Sequence, residues 1–159
     1  MKKIGEYTAR GVVTESQTEA GDMQRISLFD GSFKTAYRVK EFYVWGASYG
    51  SSTQPDCIGK LSKNDDGVTA AANFMRADDD NQIGWAWFDA SDDTGGGFGA
   101  PSYLVDPDNL VVEDLFVYIR SRSGTTATMN YMVVMEKYEI TDWQGALAMA
   151  RDRAQGDVS

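Results

Sequence analysis

Three short acidic runs are the first residues that could do chemistry. "NDDG" holds Asn64, Asp65 and Asp66, "DDDN" holds Asp78, Asp79, Asp80 and Asn81, and "DASDD" holds Asp89, Asp92 and Asp93. Clustered carboxylates are the hard oxygen donors that calcium takes. None of the runs has the spaced acids, central glycine and distant glutamate of a calcium-binding helix–loop–helix. Solvated turns that keep the surface soluble are the leading reading of them. Asp78, Asp79, Asp80, Asp92 and Asp93 still stand as candidate calcium ligands, and no other cofactor is expected.

Nucleophilic and acid–base chemistry finds little support. The chain has no histidine, which removes the commonest general base and transition-metal ligand together. One cysteine, Cys57, can form neither an intrachain disulfide nor a multi-thiolate zinc site. Glu113 and Asp114 are adjacent, so on a strand they point to opposite faces. Glu41 and Glu136 fall inside strand patterns, and nothing in the sequence sets them across a cleft as glycoside hydrolysis requires. The run "GGGFG" lacks the Lys-Ser/Thr and following helix of a phosphate loop. The expectation is a protein that is not an enzyme.

Aromatic residues offer binding rather than catalysis. Tyr43, Trp85 and Trp87 can form a stacking platform for a glycan. Core packing is the competing reading, because two tryptophans two apart on a strand share one face and large aromatics dominate cores.

Charge narrows the partners. The net charge is −9, yet residues 64–114 hold 12 of the 24 acidic residues and only one of the 15 basic ones. So acidic a chain is a poor candidate for neutralising phosphates along a nucleic acid. No apolar run approaches the roughly 20 residues a membrane-spanning helix needs. The start, "MKKIGEYTARG", has no apolar core and does not read as a signal peptide.

The elements that must position these residues are mostly strands. With 159 residues, a single domain over 1–159 is expected. Strand patterns fall at about 5–15, at "MQRISLFD" and at "FKTAYRVKEFYVWGAS". Others follow at "CIGKLSK", at "IGWAWFDA" with Ile83, Trp85 and Trp87 on one face, at "LVVEDLFVYIRSRSG" and at "TTATMNYMVVMEKYEI". The last two read as a hairpin across the "SG" turn. Residues 68–76 are ambiguous between helix and strand. Seven or eight strands without intervening helices predict an all-β antiparallel β-sandwich, with a jelly roll as the leading topology.

One helix is expected, over 142–154 at the C-terminus. Thr141 and Gln144 have capping-box spacing. Trp143, Leu147, Ala150 and Ala154 share a narrow apolar face. So short a helix must pack on its own sandwich or on a neighbouring subunit.

The long strands are apolar on both faces, which a monomeric sandwich does not need. Surplus apolar surface marks an interface. Tyr131, Val133 and Met135 on the last strand are therefore candidate subunit contacts, with Trp143, Leu147 and Arg151 on the helix.

Taken together, "RISLFDGSFKTAYRVKEFYVW", "LVVEDLFVYIRSRSG" and "YMVVMEKYEITDWQGALAMARDRA" resemble the architecture of viral single jelly-roll capsid proteins and related virion structural proteins, over nearly the whole chain. The resemblance implies self-assembly through apolar strand faces, end loops and the terminal helix. It also implies copies of the chain and other virion proteins as partners. Synthesis would be in the host cytoplasm and final residence in the virion, with no catalytic residues. The rival expectation is a carbohydrate-binding β-sandwich module using Tyr43, Trp85 and Trp87.

Overall fold

Alternating branched and aromatic residues set the frame of the computed structural model, which describes residues 1–14, 22–47, 56–65, 74–89, 101–121 and 128–156. Among them lie eight strands and one helix: β1 (Lys2–Thr14), β2 (Asp22–Ile26), β3 (Thr35–Gly46), β4 (Cys57–Ser62), β5 (Gln82–Phe88), β6 (Ser102–Val105), β7 (Leu115–Ser121), β8 (Thr128–Glu139) and α1 (Asp142–Gly156). They form two antiparallel sheets. One runs β1-β8-β3 and the other β2-β7-β4-β5-β6. The sheets face each other across one core that includes Phe42, Val44, Leu61, Leu115, Ile119, Met129 and Met135. The expected antiparallel sandwich with a short C-terminal helix is what the chain forms.

A jelly roll winds one long antiparallel ribbon, pairing first strand with eighth, second with seventh, third with sixth and fourth with fifth. Three of those pairs are present: β1 with β8, β2 with β7 and β4 with β5. The fourth is not, because β6 pairs with β5 instead of β3. The jelly-roll winding is therefore incomplete.

The expected terminal hairpin does not form. β7 pairs with β2 and β4, while β8 pairs with β1 and β3, so the chain crosses between sheets at that point. Each is a central strand of its own sheet, hydrogen-bonded along both edges. The strand expected over "MQRISLFD" also stops early, at Ile26. The N–H groups of Leu28 and Phe29 are taken by the Asp114 carboxylate rather than by a neighbouring strand. Gly31 then turns the chain with φ of 85°, a left-handed conformation open to glycine. "LVVED" is not strand either: Val111 makes only an isolated bridge to Tyr37. β6 was not anticipated, since "SYLV" is four residues long and half-exposed. Of the ambiguous run 68–76, residues 68–73 lie outside the described residues, and Phe74 is buried.

Two bulges decide which side chains face inward. On β5, Leu61 pairs with Gly84 and Ser62 with Gln82, leaving Ile83 as the extra residue. An inserted residue reverses the alternation on one side of it. Ile83 therefore joins the core at 2 % exposure, while Trp85 and Trp87 turn outward. The expectation that the three share one face fails for this reason. On β3, Lys40 is the extra residue between the pairs Val39–Met135 and Glu41–Val134. Val39, Phe42 and Val44 consequently all point inward.

The helix begins as its sequence demands. Thr141 Oγ1 accepts the Gln144 N–H at 3.3 Å, and the Thr141 N–H donates to Gln144 Oε1 at 3.2 Å. This reciprocal pair is a capping box. The preceding Ile140 N–H donates to the Lys34 carbonyl at 2.8 Å, which ties the helix to the chain before β3. Below it lies a second apolar cluster of Ala36, Val112 and Ile140, with Leu110, Tyr138 and Ala148 packed against it.

Candidate functional site

The sidedness of α1 is the feature of greatest functional interest. Gly145 is buried, and a Cβ there would collide with the Phe33 backbone carbonyl. Gly145 and Ala148, three residues apart, share the face that meets the sandwich. At 100° per residue, Trp143 and Leu147 project on the opposite side. They are 74 % and 57 % exposed. Gly145 and Ala148 meet the sandwich, while Trp143 and Leu147 face outward. The apolar face expected from the sequence exists, but it does not make the docking contact. Arg151 is exposed and lines a cavity of about 250 Å³ with Asp79, Asp106 and Asp108.

The strand residues expected at an interface are placed elsewhere. Tyr131, Val133 and Met135 are 5 %, 0 % and 0 % exposed and belong to the core. As β8 is the central strand of its sheet, its inward face is already filled by the opposite sheet. These three cannot contact another subunit, and that expectation is corrected. Met132 and Val134, on the other face of β8, are half-buried.

The aromatic residues are not brought together as a single platform. Tyr43 lies on β3, its ring edge-on to Tyr103 at 5.0 Å between centroids. Its hydroxyl donates to Glu41 Oε2 at 3.0 Å. Burial and that carboxylate push the phenol up to about 12. Trp85 and Trp87 stand on the outward face of the other sheet, beside Leu104 and Ser102 of β6. Trp87 is 38 % and Leu104 61 % exposed. The Trp85 indole N–H donates to Gln82 Oε1 at 2.9 Å, fixing its ring. An apolar strip of Trp85, Trp87 and Leu104 therefore borders the β6 edge, without Tyr43. Core packing, the competing reading, holds for neither tryptophan.

Within the "DDDN" run, Asp78 and Asp79 bond to residues of their own turn. Asp78 pairs with Arg76, its Oδ1 accepting from Nε at 2.8 Å. That guanidinium, through its hydrogen bond, holds the Asp78 carboxyl below its ordinary range. Asp79 Oδ1 accepts the Asn81 N–H at 3.0 Å. Asp80 is exposed and lines the cavity that Arg151 also lines. Among the described residues, no three carboxylate or thiol groups converge as metal ligands. Asp92, Asp93 and the "GGGFG" run lie outside the described residues. Cys57 is 2 % exposed, and burial with the nearby Asp56 pushes its thiol up to about 12. A thiol so raised stays protonated and is a poor nucleophile.

Sequence reasoning missed several exposed apolar residues. Phe29 and Phe33 flank the Gly31 turn with ring centroids 5.6 Å apart, 39 % and 37 % exposed. Their four-residue spacing across "DG" was the available signal. On β1, Ile4, Tyr7 and Val12 are 49 %, 45 % and 54 % exposed. Lys60 was missed in the other direction. It is buried at 1 % exposure, its ammonium 5.0 Å from the Phe74 and Tyr118 ring centres. No helix among the described residues is long and apolar enough to cross a membrane. Compared with known proteins, the chain matches no family model and no curated protein sequence.

Proposed function

We propose that this chain is a non-enzymatic structural subunit that assembles with copies of itself, in the manner of a virion shell or shell-associated protein. The observation that carries the reading is the outward apolar face of α1. A helix that sets Gly145 and Ala148 against the sandwich while exposing Trp143 and Leu147 presents surface that water disfavours and a second molecule can cover. Phe29 and Phe33 add a second exposed apolar pair. The virion setting is supported by the sandwich and by its three jelly-roll strand pairs. The absence of histidine and the protonated Cys57 thiol favour an architectural role.

The test is the native mass of the purified chain by sedimentation velocity across a range of concentrations. A multi-subunit species is expected. The double variant Trp143→Ser with Leu147→Ser should fold with nearly unchanged stability, since both side chains are mostly exposed. Its self-association should weaken by at least about tenfold, because each large apolar side chain contributes roughly 1.5–3 kcal/mol when fully buried. A strict monomer at high concentration overturns the reading.

One observation favours a second reading, a carbohydrate-binding module. Trp85 and Trp87 share an outward face, and indole faces stack on sugar rings. Affinity electrophoresis through polysaccharide gels checks it. Retardation on one polysaccharide, reduced at least tenfold in affinity by Trp87→Ala, is the expected result. Equal mobility in every gel removes this reading.

A further inference from the structure

Among the described residues, the β1 strand has a neighbour on one side only, β8, and it is thirteen residues long. It is also largely exposed: within it only Ala9 and Val13 are buried. A long strand edge offers unpaired backbone N–H and C=O groups to any chain that can lie against it. Proteins guard such edges with lysines and bulges. Here Lys2, Lys3 and the bulge at Ile4 gather at one end. From Gly5 to Thr14 the strand pairs with β8 without irregularity.

We infer that two copies of this chain join edge to edge through β1, antiparallel about a two-fold axis at Thr8. This rests on the self-assembly proposed above and names the surface and geometry of one contact. The occupant is a second copy because the strand is complementary to itself. Turned antiparallel with all thirteen residues overlapping, it sets Thr8 against Thr8, Glu6 against Arg10, Gly5 against Gly11 and Ile4 against Val12. Opposite charges meet, and two exposed apolar residues meet. Lys2 and Lys3 fall opposite Thr14 and Val13, so no like charges oppose. Registers centred one residue away, on Tyr7 or Ala9, set Glu6 and Arg10 against uncharged residues. A register centred on Glu6 sets that acid against itself, and one centred on Arg10 does the same with the base. Full overlap and charge complementarity therefore select the same register.

Local charge supports the pairing. Glu6 sits directly opposite Glu136 of β8, and Lys3 Nζ contacts both carboxylates at 3.0 Å. Arg10 is exposed and makes no ion pair among the described residues. In the two-fold arrangement Arg10 of the second copy reaches Glu6, on the outward face that Glu6, Thr8 and Arg10 share. Like-charge pairs across strands are unfavourable and opposite-charge pairs favourable. The two three-stranded sheets would then join into one six-stranded sheet across the dimer.

Charge reversal tests the register, with the full-length chain and sedimentation equilibrium as readout. Glu6→Lys alone and Arg10→Glu alone each set like charges opposite at two symmetric places. Either should weaken self-association at least tenfold. The double variant Glu6→Lys with Arg10→Glu restores the complement and should return to within about threefold of the parent. Thr8→Cys places two thiols at the axis, where paired strands hold Cα atoms about 4.5–5.5 Å apart, within disulfide reach. Mild oxidation should give a covalent dimer, and the parent chain should give none because Cys57 is buried at 2 % exposure. A chain that assembles but ignores both reversals and forms no Thr8→Cys dimer overturns the edge contact while leaving self-assembly standing. A chain that is monomeric throughout overturns both.

Discussion

Replacing Asp114 by alanine is expected to lower the free energy of unfolding by about 3–4 kcal/mol. The side chain is 10 % exposed and ties together four donors. Its Oδ1 accepts the Leu28 and Phe29 N–H groups at 3.0 and 3.2 Å, and its Oδ2 accepts Arg25 Nε at 2.6 Å, with Nη2 also in contact. Arg25 is 64 % exposed, so its attraction is screened and contributes the smaller part. The backbone donors contribute the larger part. Removing their acceptor strands a buried N–H at Leu28, and each stranded donor costs roughly 1–3 kcal/mol. Urea denaturation should show a lower midpoint at unchanged slope.

The same carboxylate predicts a pH dependence. Burial acts to raise its pKa, but the hydrogen bonds from Arg25, Leu28 and Phe29 outweigh burial and hold it below the ordinary carboxylate value. A depressed folded pKa contributes stability that is fully present above the unfolded value, about 3.9. That contribution is lost as pH falls through the folded value. The parent chain should therefore lose stability below about pH 4. Asp114→Asn, which has no charge to titrate, should lose less over that range.

The second large effect belongs to Gly145. Alanine is the better helix former by about 1 kcal/mol, so on propensity alone Gly145→Ala should strengthen α1. Docking reverses the sign. The new Cβ would strike the Phe33 carbonyl, a backbone atom that cannot rotate away. The helix must lift, exposing Ile140 and Val112, which are 5 % and 2 % exposed when it is docked. We expect the helix to lose about 2–3 kcal/mol of local stability, the scale of uncovering one or two aliphatic side chains. Hydrogen exchange should show the Ile140 and helix amides losing protection while those of Phe42 and Val133 keep theirs. Native mass should fall as well, because a lifted helix no longer presents Trp143 and Leu147 in a fixed position.

How much of this was legible beforehand follows from what kind of information each feature needs. Strand identity in β3, β5 and β8 rested on local alternation and was readable. So was the capping box, because Thr141 and Gln144 meet within one turn. The inward faces were not readable through the bulges: a single extra residue, Ile83 or Lys40, reverses parity, and no local signal marks it. Strand partners were out of reach for a related reason. The "SG" turn looked like a hairpin, but whether Leu115–Ser121 joins Thr128–Glu139 depends on where β2, β4, β1 and β3 lie. The candidate site divided along the same line. Trp143 and Leu147 were identified as apolar residues sharing a face, yet which side of α1 meets the sandwich depends on Gly145 against Phe33, over one hundred residues apart. Tyr131, Val133 and Met135 were misassigned because an apolar strand face reads the same whether a core or a neighbour covers it.

The placement of β8 has a consequence for how the molecule comes into being. Among the described strands, β1 and β3 each pair with β8 and with no other strand. Lys2 meets Glu139, so the first strand waits for almost the last before it has a partner. During synthesis the β1-β8-β3 sheet therefore cannot exist until β8 has left the ribosome, whereas β4 and β5 can pair earlier. Topologies dominated by such distant pairings fold slowly, on a millisecond-to-second scale. Through that interval β1 is open along both edges, and a nascent chain meets its neighbours on the polysome with that strand still unclaimed.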